Sequence, residues 1–343
     1  MPTIFDFVNA TEMVSYWETL TKDRQPYLGE TLFPAEKKLG LDLKWIKGSA
    51  GLPVVLKPSA FDSGAIPRPR IGFDRLSAEM PFFKESLYID EELRQQLNMV
   101  LETGNTAYID AVLNRIFNDN TVLLEGAAAR REQMRMMALT TGAISITANG
   151  QNFDFDYGMP STHKVTVTTS WSNPDADIWN DILTGLDTIE NDTGVRPTRA
   201  LCDRKTWNSM LKNNGFKKSI VKDQATINDR QLKQYLMDQF GIEVVVYSKR
   251  YNNDSKTATP FVPADTFVLF PSGSLGNTWF GTTPEESDLM GGSAANVAIT
   301  DVGVAVTSVQ KADPVNVETK VTMISLPSFP VADQVYILDV STT

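Results

Sequence analysis

Between residues 89 and 139, apolar side chains recur at helical spacing. They are Ile89, Leu93, Leu97 and Leu101, then Tyr108, Val112, Ile116, Leu123, Ala127, Met134 and Ala138 beyond the interruption at Gly104-Asn105. A period near 3.6 gathers such positions on one helix face. Asp90, Glu91 and Glu92 suit the positive end of a helix dipole. Thr106 to Leu139 contains no proline, and its 34 residues at 1.5 Å each would span about 51 Å. The pattern predicts one long rod; the alternative is a helical hairpin broken at Asn118-Asp119-Asn120.

The flanking sequence has other periods. Ala10 to Leu20 predicts a short helix with Thr11 as N-cap, and Thr21 to Glu36, carrying Pro26, Gly29 and Pro34, reads as extended. Residues 37–85 are punctuated by Gly40, Gly48, Gly51, Pro53, Pro58, Gly64, Pro67, Pro69, Gly72 and Pro81, with short β-type runs such as Leu52 to Leu56 between them. That composition predicts a long excursion with too little apolar sequence for its own core. Alternation at Ile144/Ile146, Phe153/Phe155/Tyr157 and Val165/Val167 predicts strands, with Asn149-Gly150 as a hairpin turn. Residues 174–313 read as an α/β unit. Its helices are expected from an Asn173 or Asp175 cap to Ile189, from Asp203 to Leu211, and over Asp229 to Phe240. Its strands are expected at Arg199 to Cys202, Ile242 to Tyr247 and Thr266 to Phe270. Residues 314–343 return to strands. The boundaries are therefore an arm at 1–36, an excursion at 37–85, helix and strands at 86–173, the α/β unit at 174–313 and return strands at 314–343.

Charge sharpens this division. The 343-residue chain carries 42 acidic and 32 basic residues, net −10, a poor balance for gripping free nucleic acid. Over residues 37–84, nine basic residues (Lys37, Lys38, Lys44, Lys47, Lys57, Arg68, Arg70, Arg75 and Lys84) face four acidic ones. The stretch is +5, which leaves −15 on the rest. A basic extension on an acidic body is suited to lie across another copy of that body. Trp45 sits in this core-poor stretch, where an aromatic side chain is expected to pack on a neighbour.

Catalytic and metal chemistry finds little support. One cysteine, Cys202, and one histidine, His163, exclude an internal disulfide, a Cys/His zinc site and any triad not hung on His163. His163 is expected at the surface. There is no phosphate-binding G-x-x-x-x-G-K-[ST] loop and no G-x-S-x-G elbow; Gly273 to Gly276 reads as a turn. Asp154 and Asp156 share a strand face but imply no third ligand, and Asp175/Asp177 and Glu285/Glu286/Asp288 read as cap or surface carboxylates. The expected catalytic, cofactor and metal residues are accordingly none. No secretory signal and no membrane-spanning run is visible.

The order of parts resembles the tailed-phage major capsid protein fold of the Hong Kong phage type, an α+β architecture. Its parts are an N-arm, an E-loop, a long spine helix with P-domain strands, and an α/β A-domain. Within it, Leu32-Phe33-Pro34 with Lys37-Lys38, Pro53-Val54-Val55, Ser63-Gly64, Arg68, Arg70, the run Val321 to Ile324, Pro327 and Ala332-Asp333 resemble the lambda-like major capsid protein E family. The resemblance implies a non-enzymatic subunit that self-assembles as hexamers and pentamers into an icosahedral shell around double-stranded DNA. It implies assembly in a bacterial cytoplasm and residence in the virion. A separate scaffolding protein and a portal are the implied partners, with a decoration protein as an optional one. Lys44, Trp45, Arg68 and Arg70 are the expected inter-subunit contacts. An encapsulin-like compartment and a carboxylate-based hydrolase remain the rival readings.

Overall fold

The computed structural model describes residues 9–22, 24–38, 40, 42–46, 75–89, 91–103, 106–148, 150–221, 226–253, 256–289, 295–312 and 315–341. In chain order the elements are α1 (Ala10–Thr21), α2 (Leu28–Leu32), β1 (Ala35–Lys37), β2 (Asp42–Ile46), β3 (Arg75–Glu79), β4 (Phe82–Tyr88), α3 (Glu91–Thr103) and α4 (Thr106–Thr141). Next come β5 (Ala143–Ala148), β6 (Gln151–Asp156), β7 (Lys164–Thr166), α5 (Ile178–Thr193), β8 (Arg199–Cys202), α6 (Arg204–Lys212), α7 (Asn214–Val221) and α8 (Asp229–Phe240). The remainder is strand: β9 (Glu243–Val246), β10 (Arg250–Asn252), β11 (Ala258–Pro260), β12 (Thr266–Phe270), β13 (Thr278–Phe280), β14 (Asn296–Thr300), β15 (Val304–Ala312), β16 (Val315–Pro327) and β17 (Tyr336–Asp339).

Two compact units result. The first comprises Met1–Leu43, Ala78–Met134 and Asn277–Ser328. Its sheet runs β1-β13-β16-β15-β14, with β4 also on β16. Alternate residues of the long β15–β16 hairpin, Val304, Val306, Val321 and Met323, point to one face. There they bury against Met13, Val14 and Trp17 of α1 and Leu123 and Leu124 of α4. Asn9, not Thr11, caps α1, accepting the Glu12 N–H at 2.9 Å. The stretch expected to be extended contains α2 instead. The fully buried Glu132 carboxylate accepts the Gly29 N–H and so supplies the helix end with an acceptor.

α4 is continuous for 36 residues, about 54 Å. The break considered at residues 118–120 does not occur: the helix runs through them unbroken. Thr121 donates to the Asn118 carbonyl at 2.8 Å, and the Asn118 side chain accepts from the Tyr16 hydroxyl at 2.8 Å.

The second unit comprises Lys44–Ser77, Arg135–Gly276 and Phe329–Thr343. Its sheet has the order β7-β17-β12-β8-β9. The central strand β12 is buried at all five residues, and one sheet face carries α5 to α8 through Trp171, Ile182, Leu186, Trp207, Leu232 and Phe240. Gly185 allows α5 to approach closely, since a Cβ there would lie 2.8 Å from the Tyr336 ring. Asp203 caps α6 as expected, accepting from Lys205 and Thr206 N–H. Asp177 caps α5, whereas Asn173 and Asp175 are committed to the preceding turn and to Asn214.

Residues 277–313, expected with the α/β unit, instead supply β13, β14 and β15 of the first sheet. β15 pairs residue for residue with β16, from Val304↔Met323 to Ala312↔Val315. The hairpin partner lies across the position where sequence composition suggested a boundary. The β5–β6 hairpin matches its alternation, with Gly150 at φ +73°. The expected strand at residues 52–56 lies outside the described residues.

Candidate assembly surface

Both roots of the basic excursion sit on the first sheet. The outgoing root, β1, pairs in parallel with β13, Ala35↔Thr278 to Lys37↔Phe280. The returning root, β4, pairs antiparallel with β16 over seven residues, Phe82↔Ile324 to Tyr88↔Glu318. Between them β2 and β3 form a two-stranded ribbon. Lys44 and Trp45 occupy adjacent positions on β2. Arg68 and Arg70 lie outside the described residues, so no geometry brings them to the other two.

An exposed stripe runs along α4. Asp119, Val122 and Glu125 are exposed along one stripe, Val122 at 60%. Exposed Gly126 continues it, and Glu85 of β4 lies beside it, its Oε2 4.0 Å from where a Gly126 Cβ would stand. Arg115 adds a positive charge two turns before Val122. Among the described residues Glu125 has a loose, exposed partner in Arg24 at 3.7 Å, an ion pair that contributes little. The stripe is thus a mostly acidic surface with an apolar centre.

Several expected solvent carboxylates have specific partners. Glu285 is only 4% exposed. It pairs with Lys320 at 2.8 Å and accepts the Thr322 hydroxyl at 3.1 Å. Burial works against its charge, yet the bonds from Lys320 and Thr322 hold its carboxyl below the usual range. Glu286 binds Lys37 at 2.5 Å. Sequence spacing could not reveal this, because the partners lie on distant strands.

His163 also departs from expectation. It is 1% exposed, with Nε2 2.9 Å from the Asp192 carboxylate. The 3-10 turn Ser161–His163 carries it beneath α5 and against Tyr336. Asp154 accepts from Ser145 at 2.5 Å and from Asn152, while Asp156 accepts the Gly158 N–H. These carboxylates are spent on local hydrogen bonds. Cys202 is buried, and burial pushes its thiol pKa well up, so it is protonated and unreactive. Trp17, Trp171 and Trp207 are core residues. Among the described residues no group of three or more His, Cys, Asp or Glu could hold a metal ion, and no helix is long and apolar enough to cross a membrane. A cavity of about 320 Å³ lined by Trp179, Phe216 and Tyr235 carries no catalytic constellation.

Structural comparison gives the fold a context. A putative capsid protein of a prophage in Escherichia coli CFT073 superposes with a TM-score of 0.63 at 15% identity, over 97% of this chain and 99% of that one. A phage-related protein from Bordetella bronchiseptica RB50 gives 0.58 at 13%, over 96% and 98%. The capsid of cyanophage A-1(L) gives 0.56 at 11%, over 94% and 95%. Among curated proteins none matches the sequence. The sequence profile of phage major capsid protein E matches residues 9–340. With that match across nearly its whole length, and on a fold shared with phage capsid subunits, the chain belongs to the phage major capsid protein E family and is a shell-forming capsid protein.

Proposed function

We propose that this subunit closes into an icosahedral shell of hexamers and pentamers around double-stranded phage DNA, and that it works by association, without catalysis. The observation that carries the reading is the seating of both excursion roots on one sheet, so that a stretch that is +5 over residues 37–84 departs from a −15 remainder. Lys44, Trp45, Arg68 and Arg70 then contact a neighbouring copy, and the Asp119–Val122–Glu125 stripe with Glu85 is the surface they meet. Each contact can be moderate, because a closed shell repeats it many times.

In this reading residues 1–36 are the arm, 37–85 the E-loop, α4 the spine, and 174–276 the A-domain. A separate scaffolding protein and a portal act as partners during assembly in the bacterial cytoplasm, with a decoration protein as a further candidate. The DNA is enclosed without sequence-specific contact, in keeping with the acidic balance. The test is the double variant Arg68→Glu/Arg70→Glu. It should remain folded by circular dichroism and yield no shells in negative-stain micrographs. Normal particles from it would refute the assigned contacts.

A further inference from the structure

The outgoing root of the excursion is gripped by charges that the inter-subunit contact does not require. β1 is only three residues long, so its parallel pairing with β13 offers few hydrogen bonds to hold a direction. At its last residue, Lys37 Nζ reaches the Glu286 carboxylate at 2.5 Å and the Gly281 carbonyl at 3.2 Å. The next residue, Lys38, donates its N–H to the Phe280 carbonyl at 2.8 Å and lays its ammonium 5.1 Å from the Trp279 ring centre. A Cβ on Gly281 would stand 2.7 Å from Ile324 and 3.2 Å from the Gly40 carbonyl oxygen. The chain beyond Lys37 therefore passes directly over Gly281.

The counter-charge comes from a π-helical turn, Glu285–Leu289. Thr283 anchors its start, its hydroxyl accepting the Glu286 N–H and its carbonyl the Ser287 N–H. The turn aims two consecutive glutamates at different strands, Glu286 at Lys37 on β1 and Glu285 at Lys320 and Thr322 on β16. All four charged side chains are largely withdrawn from water, with exposures of 28% and 21% for Lys37 and Glu286 and 15% and 5% for Lys320 and Glu285. Such withdrawn pairs add little net stability over apolar replacements, because desolvation offsets attraction. Their geometry, in contrast, is fixed.

We propose that Lys37 and Glu286 are positioning residues for assembly. Braced by the Glu285–Lys320 pair, they set the direction in which the excursion leaves β1 and hence where its basic segment meets a second copy. This rests on the assembly reading above. The experiment compares Lys37→Met, Glu286→Gln and the exchanged pair Lys37→Glu/Glu286→Lys in the full chain. Subunit melting is followed by circular dichroism, and shell yield and diameter by electron microscopy.

The single variants should stay folded but melt somewhat lower, because each leaves one half-withdrawn charge without its partner, and should give about tenfold fewer closed shells, of scattered diameter, while the exchanged pair should restore both yield and diameter. Single variants that build shells of unchanged yield and diameter overturn the proposal. If the single variants unfold, the exchanged pair decides: folded with uniform shells supports it, folded with scattered diameters overturns it, and unfolded makes the pair a stability element and overturns it as well. Absence of shells from the unsubstituted chain would instead refute the assembly reading.

Discussion

Two carboxylates titrate in opposite senses. Glu285, held below the usual range by Lys320 and Thr322 against its burial, stabilises the fold above the ordinary glutamate pKa, and that contribution is lost as pH falls through its lowered value. Glu285→Gln should therefore flatten the acid limb of stability below about pH 4.5, as measured by urea melts at stepped pH. Asp181 is half-buried, and burial raises its pKa despite the bond it accepts from Trp171. Its contribution is present at low pH and lost as pH rises, so Asp181→Asn, which can still accept from Trp171, should be neutral or stabilising at pH 7. Of the caps expected from sequence, Asp203 holds its place, whereas Asn9 and Asp177 cap the helices for which Thr11 and Asn173 or Asp175 were expected. Asp203 stands directly before α6, and Asp203→Ala should cost about 1 kcal/mol in denaturant melts. Glu285 was not readable, because Lys320 and Thr322 are brought to it only by β16, and three neighbouring acids in a sequence resemble a solvated face. His163 was misplaced for the same reason: its partner, Asp192, is on the far end of α5.

α4 was legible because one apolar stripe runs its length with no proline, and length alone distinguished a rod from ordinary packing helices. Its solvent side was not legible, since exposure depends on what α1 and β4 cover. Val122→Arg tests that side. The substitution touches no core, so stability should stay within about 0.5 kcal/mol, while the added cation repels the basic segment and shell yield falls by centrifugation assay. Unchanged yield would remove the stripe from the interface. On α5 the expected effect is the reverse in kind. Gly185→Ala drives a methyl group into Tyr336 and Leu269 and should cost about 1–3 kcal/mol through overpacking, measured by thermal melts. The strands β13 to β15 were assigned to the wrong unit because hairpin pairing, not composition, decides which sheet a strand joins. The β-rich run Asn296 to Ala312 reads the same in either place.

Over the molecule as a whole, the uneven charge predicts a salt response. The screening length shortens from about 10 Å at 0.1 M salt to about 3 Å at 1 M, so attraction between excursion and acidic stripe should weaken and the concentration needed for assembly should rise. Light scattering across a sodium chloride series measures this; assembly strengthened by salt would assign the interface to apolar contacts instead. The resemblance that the order of parts suggested is the family that the sequence profile identifies. The contacts proposed for Lys44, Trp45, Arg68 and Arg70 require a second copy, which a single chain's pattern does not encode. The two roots also differ mechanically. A pull along the excursion loads the β4–β16 ladder in shear, where seven residue pairs resist together, but the β1–β13 ladder offers three. Under load the three-pair root should slip first, and the Lys37–Glu286 pair beside that joint would then resist peeling of β1 from β13.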